Sequence, residues 1–164
     1  MDLKKLILDT SVCIDLYNGN LLKVVLQLPY EFVLPDVIIA ELKEPPGEFL
    51  LKIGFLKESL SGNEIQNIIA LRSRYSGPST NDLFALMLAK RNSCPLITGD
   101  NALRKASIQE GIATHGLLWL MDEMFGYSLL TGGAAVNTLE NIIRAGSYLP
   151  KKECDERFRK WKML

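Results

Sequence analysis

The chain begins with short apolar runs, each of which ends near an acidic residue. Leu6–Leu8 has the composition of a buried strand, and Asp9 follows it as the predicted N-cap of a first helix. The same order returns at Phe32–Leu34, where Asp36 is the predicted N-cap of a helix over residues 37–43. The pattern therefore predicts two successive strand-turn-helix units.

The middle of the chain continues this alternation. Apolar residues recur at helical spacing over residues 63–75 and 80–91, and we expect these two helices to pair. Residues 94–98 form a predicted strand that leads into Gly99-Asp100, followed by a helix over 102–110 and a strand over 112–114. Because parallel strands need crossover connections, the alternation predicts a three-layer α/β/α sandwich with a mostly parallel central sheet.

Beyond Gly116 the pattern predicts only helices, over residues 117–125, 134–145 and from 150 onward. We expect one domain, with an α/β core of residues 1–116 and a helical extension of residues 117–164 packed on it. The last segment is the most basic of the chain and carries Phe158 and Trp161. It fits RNA contact or an amphipathic helix that docks both rings on the core, and we favour docking.

Composition excludes several classes of protein. Nineteen Lys and Arg balance nineteen Asp and Glu, so any contact with nucleic acid has to come from a local basic patch. Three scattered cysteines and one histidine argue against structural zinc and against a disulfide framework. The first apolar run is too short for a signal peptide or a membrane span, so we expect a cytoplasmic protein without membrane association.

Four acidic residues from separate parts of the chain are candidate ligands of a metal ion: Asp9, Glu41, Asp82 and Asp100. Each has a structural interpretation of its own, as a helix cap or as the rim of a helix face. In an open parallel sheet, however, ligands bind beyond the carboxyl ends of the strands, where these residues are expected to meet. The combination favours a shared site over four independent caps.

The neighbours of these acids are consistent with a metal site. Hydroxyl groups of Thr10, Ser11, Ser79 and Thr98 are predicted to orient the carboxylates through hydrogen bonds. We expect Glu41, on a helix face with apolar neighbours, to be partly shielded from water and to need a cationic partner. An all-oxygen ligand set selects Mg²⁺ or Mn²⁺, which can activate water for attack on phosphorus.

Four segments carry a resemblance to a known family. The segments LILDTS, IIAELKE, STND and LITGDNALRKA resemble, in order, the successive acidic motifs of PIN-domain proteins, over about residues 3–116. The resemblance implies an endoribonuclease that depends on Mg²⁺ or Mn²⁺, with Asp9, Glu41, Asp82 and Asp100 as catalytic metal ligands. The motifs resemble those of VapC-like toxin ribonucleases, and the tail with its YLPKKE segment resembles that of a PIN branch of predicted nucleic-acid-binding proteins. The resemblance also suggests a homodimer, and many relatives are toxins that a small antitoxin partner restrains.

One departure concerns the segment after Asp100. Some PIN relatives carry a further acid a few residues downstream, where this chain reads Asn101-Ala102-Leu103, which implies a weaker second metal site. Arg104 and Lys105 follow in the same segment and are the best candidates for an RNA-facing rim, although charged helix faces are usually only solvated.

Two alternatives to a nuclease stay open. One is a PIN-fold module that binds RNA or protein without cutting it. The other is a phospho-receiver or phosphatase domain, which is less favoured because the first motif lacks a second aspartate and the strand near His115 offers no lysine. We interpret His115 itself as a turn residue outside the site.

Overall fold

The computed structural model describes residues 2–163, and within them it contains one five-stranded sheet. The strands are β1 (Lys4–Leu8), β2 (Tyr30–Pro35), β3 (Leu56–Glu58), β4 (Leu96–Ile97) and β5 (Thr114–His115). The helices found in the same residues are α1 (Thr10–Asn18), α2 (Leu22–Val25), α3 (Asp36–Glu41), α4 (Gly47–Ile53), α5 (Gly62–Arg74), α6 (Thr80–Asn92), α7 (Asn101–Gln109), α8 (Leu117–Gly126), α9 (Gly132–Arg144) and α10 (Lys151–Lys162).

The sheet has the strand order β3-β2-β1-β4-β5, and every pairing in it is parallel. This confirms the predicted sandwich with a parallel central sheet. The chain winds from β1 to β2 and β3 in one direction, then crosses back to place β4 and β5 on the other side of β1. The reversal leaves a crevice outside the carboxyl ends of β1 and β4, which is where ligands bind in open α/β sheets.

Helix α6 contributes much of the core. It packs against β1, β2, β4 and α5, and its apolar residues from Leu83 to Ala89 are buried, except for Phe84, which is partly buried. The predicted pairing of α5 with α6 is confirmed. Both helices begin with a capping box, formed by Ser61 with Glu64 in α5 and by Ser79 with Asp82 in α6, which fixes where each helix starts.

Several predicted boundaries between residues 35 and 60 are wrong. Pro35, not Asp36, is the N-cap of α3, and Asp36 is the first helical residue, with its carboxylate accepting a hydrogen bond from the Val37 N–H at 2.8 Å. The helix ends at Glu41, because Leu42 already has an extended backbone. The elements α2, α4 and β3 were not predicted, since none has a long periodic pattern.

Gly47 shows why α4 begins where it does. A Cβ atom at this position would lie 1.9 Å from the carbonyl oxygen of Ile39, so only glycine permits this approach of α4 to α3. The last strand also differs from its prediction over residues 112–114. It lies at Thr114–His115, where it pairs with Leu96–Ile97, while Ile112 is buried in the preceding turn.

The helices after residue 116 pack on the rest of the molecule. Trp161 of α10 is fully buried, Phe158 is partly buried, and α10 lies against α9, which in turn contacts α1. The docking interpretation of the basic last segment is thereby confirmed. The division into a core of residues 1–116 and an extension of residues 117–164 stays a prediction. In the part of the chain that the structure describes, every helix is too short or too polar to cross a membrane.

Candidate active site

Asp9 lies at the switch point of the sheet. It follows β1 directly, its backbone N–H donates to the Ile97 carbonyl of neighbouring β4 at 3.2 Å, and its side chain is almost fully buried. One carboxylate oxygen, Oδ1, accepts from the Val12 N–H at 3.0 Å and so caps α1, as predicted. A buried carboxylate at this edge is held in one orientation by the start of its own helix.

Two hydroxyl groups connect Asp9 to the end of β4. Thr98 Oγ1 donates to Asp9 Oδ2 and accepts from the Asp100 N–H at 2.9 Å. Ser11 Oγ donates to Asp9 Oδ1 at 2.7 Å and accepts from the Gly99 N–H at 3.1 Å. The turn that carries Asp100 is therefore tied to Asp9 through both hydroxyls.

Asp100 is the N-cap of α7, and Asp82 lies in the first turn of α6 as part of its capping box. Asp100 Oδ1 accepts from the Leu103 N–H at 2.8 Å, and Asp82 Oδ2 accepts from the Ser79 N–H at 2.9 Å. Both residues thus serve as caps, as their sequence contexts indicate. In each, the other carboxylate oxygen makes no hydrogen bond within residues 2–163, so capping leaves one oxygen of each residue available to a ligand.

Glu41 is the last residue of α3, and its Oε2 accepts from the Thr10 hydroxyl at 3.0 Å. The expectation that apolar neighbours shield it from water is wrong, because Glu41 is exposed. The helix ends there, and the side chain leaves the buried face that Ile38 occupies. Thr10 follows Asp9 directly, so its hydroxyl brings Glu41 to the same edge of the sheet.

The four carboxylates act on one another through their charges. Burial raises the pKa of Asp9 to about 6; hydrogen bonds from Thr98, Ser11 and Val12 oppose this shift, and the charge of Asp82 adds to it. Burial also raises the pKa of Asp82, and the charges of Asp100 and Glu41 raise it further. The fold has therefore gathered acids from four separate segments into one electrostatic neighbourhood.

No basic side chain of residues 2–163 lies within 4.0 Å of any of these four carboxylates. The donors offered to a ligand are all carboxylate oxygens, which suits a hard divalent cation. Over the same described range, no group of three or more His, Cys, Asp or Glu side chains is close enough to hold a metal ion as it stands. The chemistry of the donors fits Mg²⁺ or Mn²⁺, while the side chains are neighbours rather than a closed set of ligands.

The two predicted RNA-binding residues lie on the helix that Asp100 begins. Arg104 is partly buried, and its guanidinium donates to the Thr98 carbonyl oxygen at 3.1 Å, so it supports the end of β4. Lys105 is exposed to solvent. The positive charge of Arg104 thus lies directly behind the Thr98–Asp100 turn.

The sequence reasoning missed Asp15. This residue lies one helical turn after Ser11 on α1, is 7% exposed, and lines a groove together with Ser11 and Asp100. Burial raises its pKa, and a hydrogen bond with Ser147 opposes that shift. The available signal was an aspartate between Ile14 and Leu16 in a helical segment with several apolar residues. A charge in such a segment is unfavourable unless a partner compensates it.

Comparison with known families agrees with this architecture. The model of the DUF3368 family, a PIN domain, matches residues 5–163, while no curated protein matches the chain. PIN domains are generally nucleases, and they typically use divalent metal ions. The match includes both the strand-helix units of the sheet and the helices after residue 116. The chain therefore belongs to a PIN-domain family.

Proposed function

We propose that this protein is an endoribonuclease that uses Mg²⁺ or Mn²⁺, held by Asp9, Glu41, Asp82 and Asp100, to cut RNA phosphodiester bonds. The observation that carries the proposal is the gathering of four carboxylates at the switch point of the sheet without a basic side chain to neutralise them. Like charges that lie close together destabilise a fold unless something compensates them, and Asp9 is in addition buried. Family membership supports a nuclease in general, and the ribonuclease assignment is our proposal.

The residues have distinct tasks in this proposal. Asp9 is a fixed ligand, because Ser11, Val12 and Thr98 all donate to its carboxylate. Asp82, Asp100 and Glu41 each offer one oxygen that is free of protein hydrogen bonds in the described chain. When bound, a divalent cation would activate water for in-line attack on phosphorus and stabilise the leaving oxygen.

Thr98, Ser11, Thr10 and Ser79 are positioning residues in this scheme. Thr98 and Ser11 link Asp9 to the turn that carries Asp100, and Thr10 holds Glu41 beside them. Ser79 fixes the first turn of α6 and hence the direction of Asp82. Arg104 and Lys105 are the proposed contacts to the RNA backbone, and Arg104 is the stronger of the two because it adjoins the Asp100 turn.

The deciding experiment measures cleavage of a single-stranded RNA by purified protein with Mg²⁺ or Mn²⁺ and with a chelator. We expect cleavage by the wild type in the presence of either cation, and none by the Asp9→Asn or Asp100→Asn variants. Glu140→Gln is the matched control, since Glu140 is exposed on α9 and belongs to no part of the site. Circular dichroism of each variant checks that it is folded.

A non-catalytic PIN-fold module that binds RNA or protein is the second candidate. It is favoured by one observation, the lack of a closed metal-ligand group among the described residues. Absence of cleavage by folded wild type with Mn²⁺ would support this candidate and refute ours. Calorimetric titration with Mn²⁺ separates the two further, because we expect binding to be lost in Asp9→Asn.

The proposal extends to a role as the toxin of a toxin-antitoxin pair, with a small antitoxin partner and a homodimeric state. Its support is the resemblance of the four acidic motifs to those of VapC-like toxins. Induced expression in a bacterial host tests it: we expect growth to stop with the wild type and to continue with Asp100→Asn. Light scattering of the purified protein measures whether it is a dimer.

A further inference from the structure

Two depressions lie on either side of the turn that carries Asp100. The first, of about 340 Å³, is lined by Ser11, Asp15 and Asp100 of the candidate site. The second, of about 300 Å³, is lined by residues of α7, β5 and the start of α10. Gly99 and Tyr148 line both depressions. A ligand that passes Asp100 in the first therefore reaches the second by crossing Tyr148.

Tyr148 is unusual in its exposure. It lies in the connection between α9 and α10, and 87% of its surface is accessible, the largest value among the big hydrophobic residues of the described chain. An aromatic ring that lies beside a groove and is exposed to water is a surface on which another flat group can stack. In proteins that bind single-stranded nucleic acid, such rings stack on nucleobases.

The second depression has the size and lining that suit a base. Its volume is at the lower end of the range for small-ligand pockets, and apolar wall is provided by Leu117, Leu149 and Pro150. Polar groups of Asn101 and Glu153 are available for hydrogen bonds to the edge of a flat ring. One small flat ligand with polar edges fits this combination better than a phosphate alone.

The charge beside the depression favours a nucleotide. Arg104 lines it, and no carboxylate of the described residues lies within 4.0 Å of its guanidinium, whereas Arg157, which also lines it, pairs with Asp122 at 2.8 Å. An arginine without a carboxylate partner that lines the same depression as Tyr148 and donates to the carbonyl of Thr98, two residues before Asp100, can contact a phosphate.

We propose that the depression beside Tyr148 binds one unpaired nucleobase of a single-stranded RNA, next to the phosphate that is cut, with the base stacked on Tyr148 and the adjoining phosphate bound by Arg104. The proposal rests on the proposed nuclease function for the identity of the ligand. It adds that the substrate has to be unpaired at this position, because a base in a duplex cannot leave its stack to enter a pocket without an energetic penalty.

The test measures binding apart from cleavage. An Asp82→Asn parent, in which the altered residue lines neither depression, is titrated with a fluorescent single-stranded oligoribonucleotide and with a series that carries one abasic nucleotide at each position in turn. We expect Tyr148→Ala to weaken binding about tenfold and Tyr148→Phe to change it less than twofold, as for loss and retention of one stacked base. Tyr127→Ala is the matched control, because Tyr127 is exposed but lines neither depression.

The abasic series locates the base. We expect one abasic position to weaken binding by a similar factor in the parent and to have no further effect in Tyr148→Ala. A Tyr148→Ala protein that binds RNA within twofold of the parent, a series with no distinct position, or no RNA binding at all would overturn the proposal and leave the pocket to another partner, such as a protein segment. If the wild type cuts no RNA but one abasic position weakens binding only when Tyr148 is present, the nuclease proposal is refuted and the base-binding proposal is retained.

Discussion

A group of acidic side chains lies near each end of helix α6, and the two groups differ in whether basic side chains pair with them. At the first turn, Asp82 is close to the other acids of the candidate site, and no basic side chain of residues 2–163 pairs with them. At the last turn, Arg91 pairs with Glu58 at 2.6 Å and with Glu64 at 2.9 Å. Lys90 of the same turn pairs with Glu110 at 3.1 Å.

The paired end shows what this fold does with an acid that has a structural role. Burial alone would raise the pKa of Glu58, but hydrogen bonds from Lys5, Arg91 and Asn92 outweigh it and lower that pKa to about 2. The pKa of Asp9, at the other end, is raised to about 6 despite three hydrogen-bond donors. Neutral donors alone leave the pKa of the almost fully buried Asp9 raised, whereas donors that include two cations lower the pKa of the less buried Glu58.

The contrast separates an acid whose ionised form stabilises the fold, Glu58, from an acid whose ionised form lowers the free energy of unfolding, Asp9. Arg72 lies near the first turn, but it donates to the Pro78 carbonyl and the Thr80 hydroxyl instead of to a carboxylate of the site. At the last turn, by contrast, Lys90 and Arg91 both pair with acids. Proteins tolerate such local destabilisation chiefly where a site needs it. The difference between the ends of α6 is therefore the physical argument for a cation at the first turn, and it can be broken by the following changes.

The largest expected effect is on catalysis. Asp82→Asn removes one charge at the unpaired end while the side-chain carbonyl can still accept from the Ser79 N–H, so the helix cap is kept. We expect the rate of RNA cleavage at saturating Mg²⁺ to fall about 100-fold or more, as when a metal loses a carboxylate ligand or its support. Steady-state cleavage assays measure the effect.

Glu64→Gln is the control at the paired end, because Glu64, in the first turn of α5, pairs with Arg91 in the last turn of α6. It also removes one acidic charge and also takes part in a capping box, but we expect its cleavage rate to match that of the wild type. Equal losses of activity in the two variants would show that the two ends do not differ in function.

The next effect is on stability, at the paired end. Glu58→Gln leaves Lys5 without its carboxylate partner and removes one of the two partners of Arg91, which still pairs with Glu64. The Glu58 side chain is 21% exposed, so we expect a loss between the values for buried and surface ion pairs, about 2 kcal/mol of unfolding free energy. Urea denaturation measures the loss, and cleavage by the folded variant should be unchanged. A variant as stable as the wild type would refute the structural role.

Removal of a charge at the unpaired end should change the free energy of unfolding in the opposite direction, so that the variant is more stable than the wild type. Because the pKa of Asp9 is raised to about 6 from 3.8, its ionisation destabilises the metal-free fold as pH rises through that window, by roughly 3 kcal/mol at most. Asp9→Asn keeps the Val12 cap but weakens the contact with Thr98, so we expect a net gain of about 1 to 2 kcal/mol at pH 8. The gain should vanish near pH 4.

Thermal melts with a chelator, at both pH values, test this reversal. Addition of Mn²⁺ should then raise the melting temperature of the wild type and leave that of Asp9→Asn unchanged. A variant that is less stable than the wild type at pH 8 would mean that the carboxylate serves the fold, as Glu58 does.

Strands β1, β2 and β4 and the long helices could be predicted from sequence because each carries its own local signal. Leu6–Leu8 and Phe32–Leu34 are apolar runs, and α5, α6 and α9 have helical periodicity together with hydroxyl caps. The region from 42 to 58 carried no such signal. The start of α4 depends on the contact of Gly47 with the Ile39 carbonyl, which is a tertiary feature, and β3 is only three residues long.

The candidate site was predicted for a different reason. The sequence places Asp9 and Asp100 after strands, and the rule for ligands in open sheets then brings them together. What it could not supply was the surroundings of each acid. Glu41 is exposed because α3 ends at that residue. Asp15 is buried in contact with Ser147, which belongs to the distant connection between α9 and α10. Exposure depends on packing between distant segments, which a local pattern does not contain.

The smallest expected effect is a difference in acid sensitivity at the paired end. The pKa of Glu58 is about 2 in the fold against an ordinary value of 4.5, so its contribution to stability is complete above about pH 4.5 and is lost as pH falls toward 2. The urea midpoints of wild type and Glu58→Gln should therefore differ by a constant amount from about pH 7 to 5, and converge below. The variant already lacks the ionised group, so its urea midpoint should fall less steeply than that of the wild type as the pH is lowered. A difference that stays constant down to about pH 3 would show that Glu58 acts through packing and not through its charge, and the two ends of α6 would then no longer differ by electrostatic compensation.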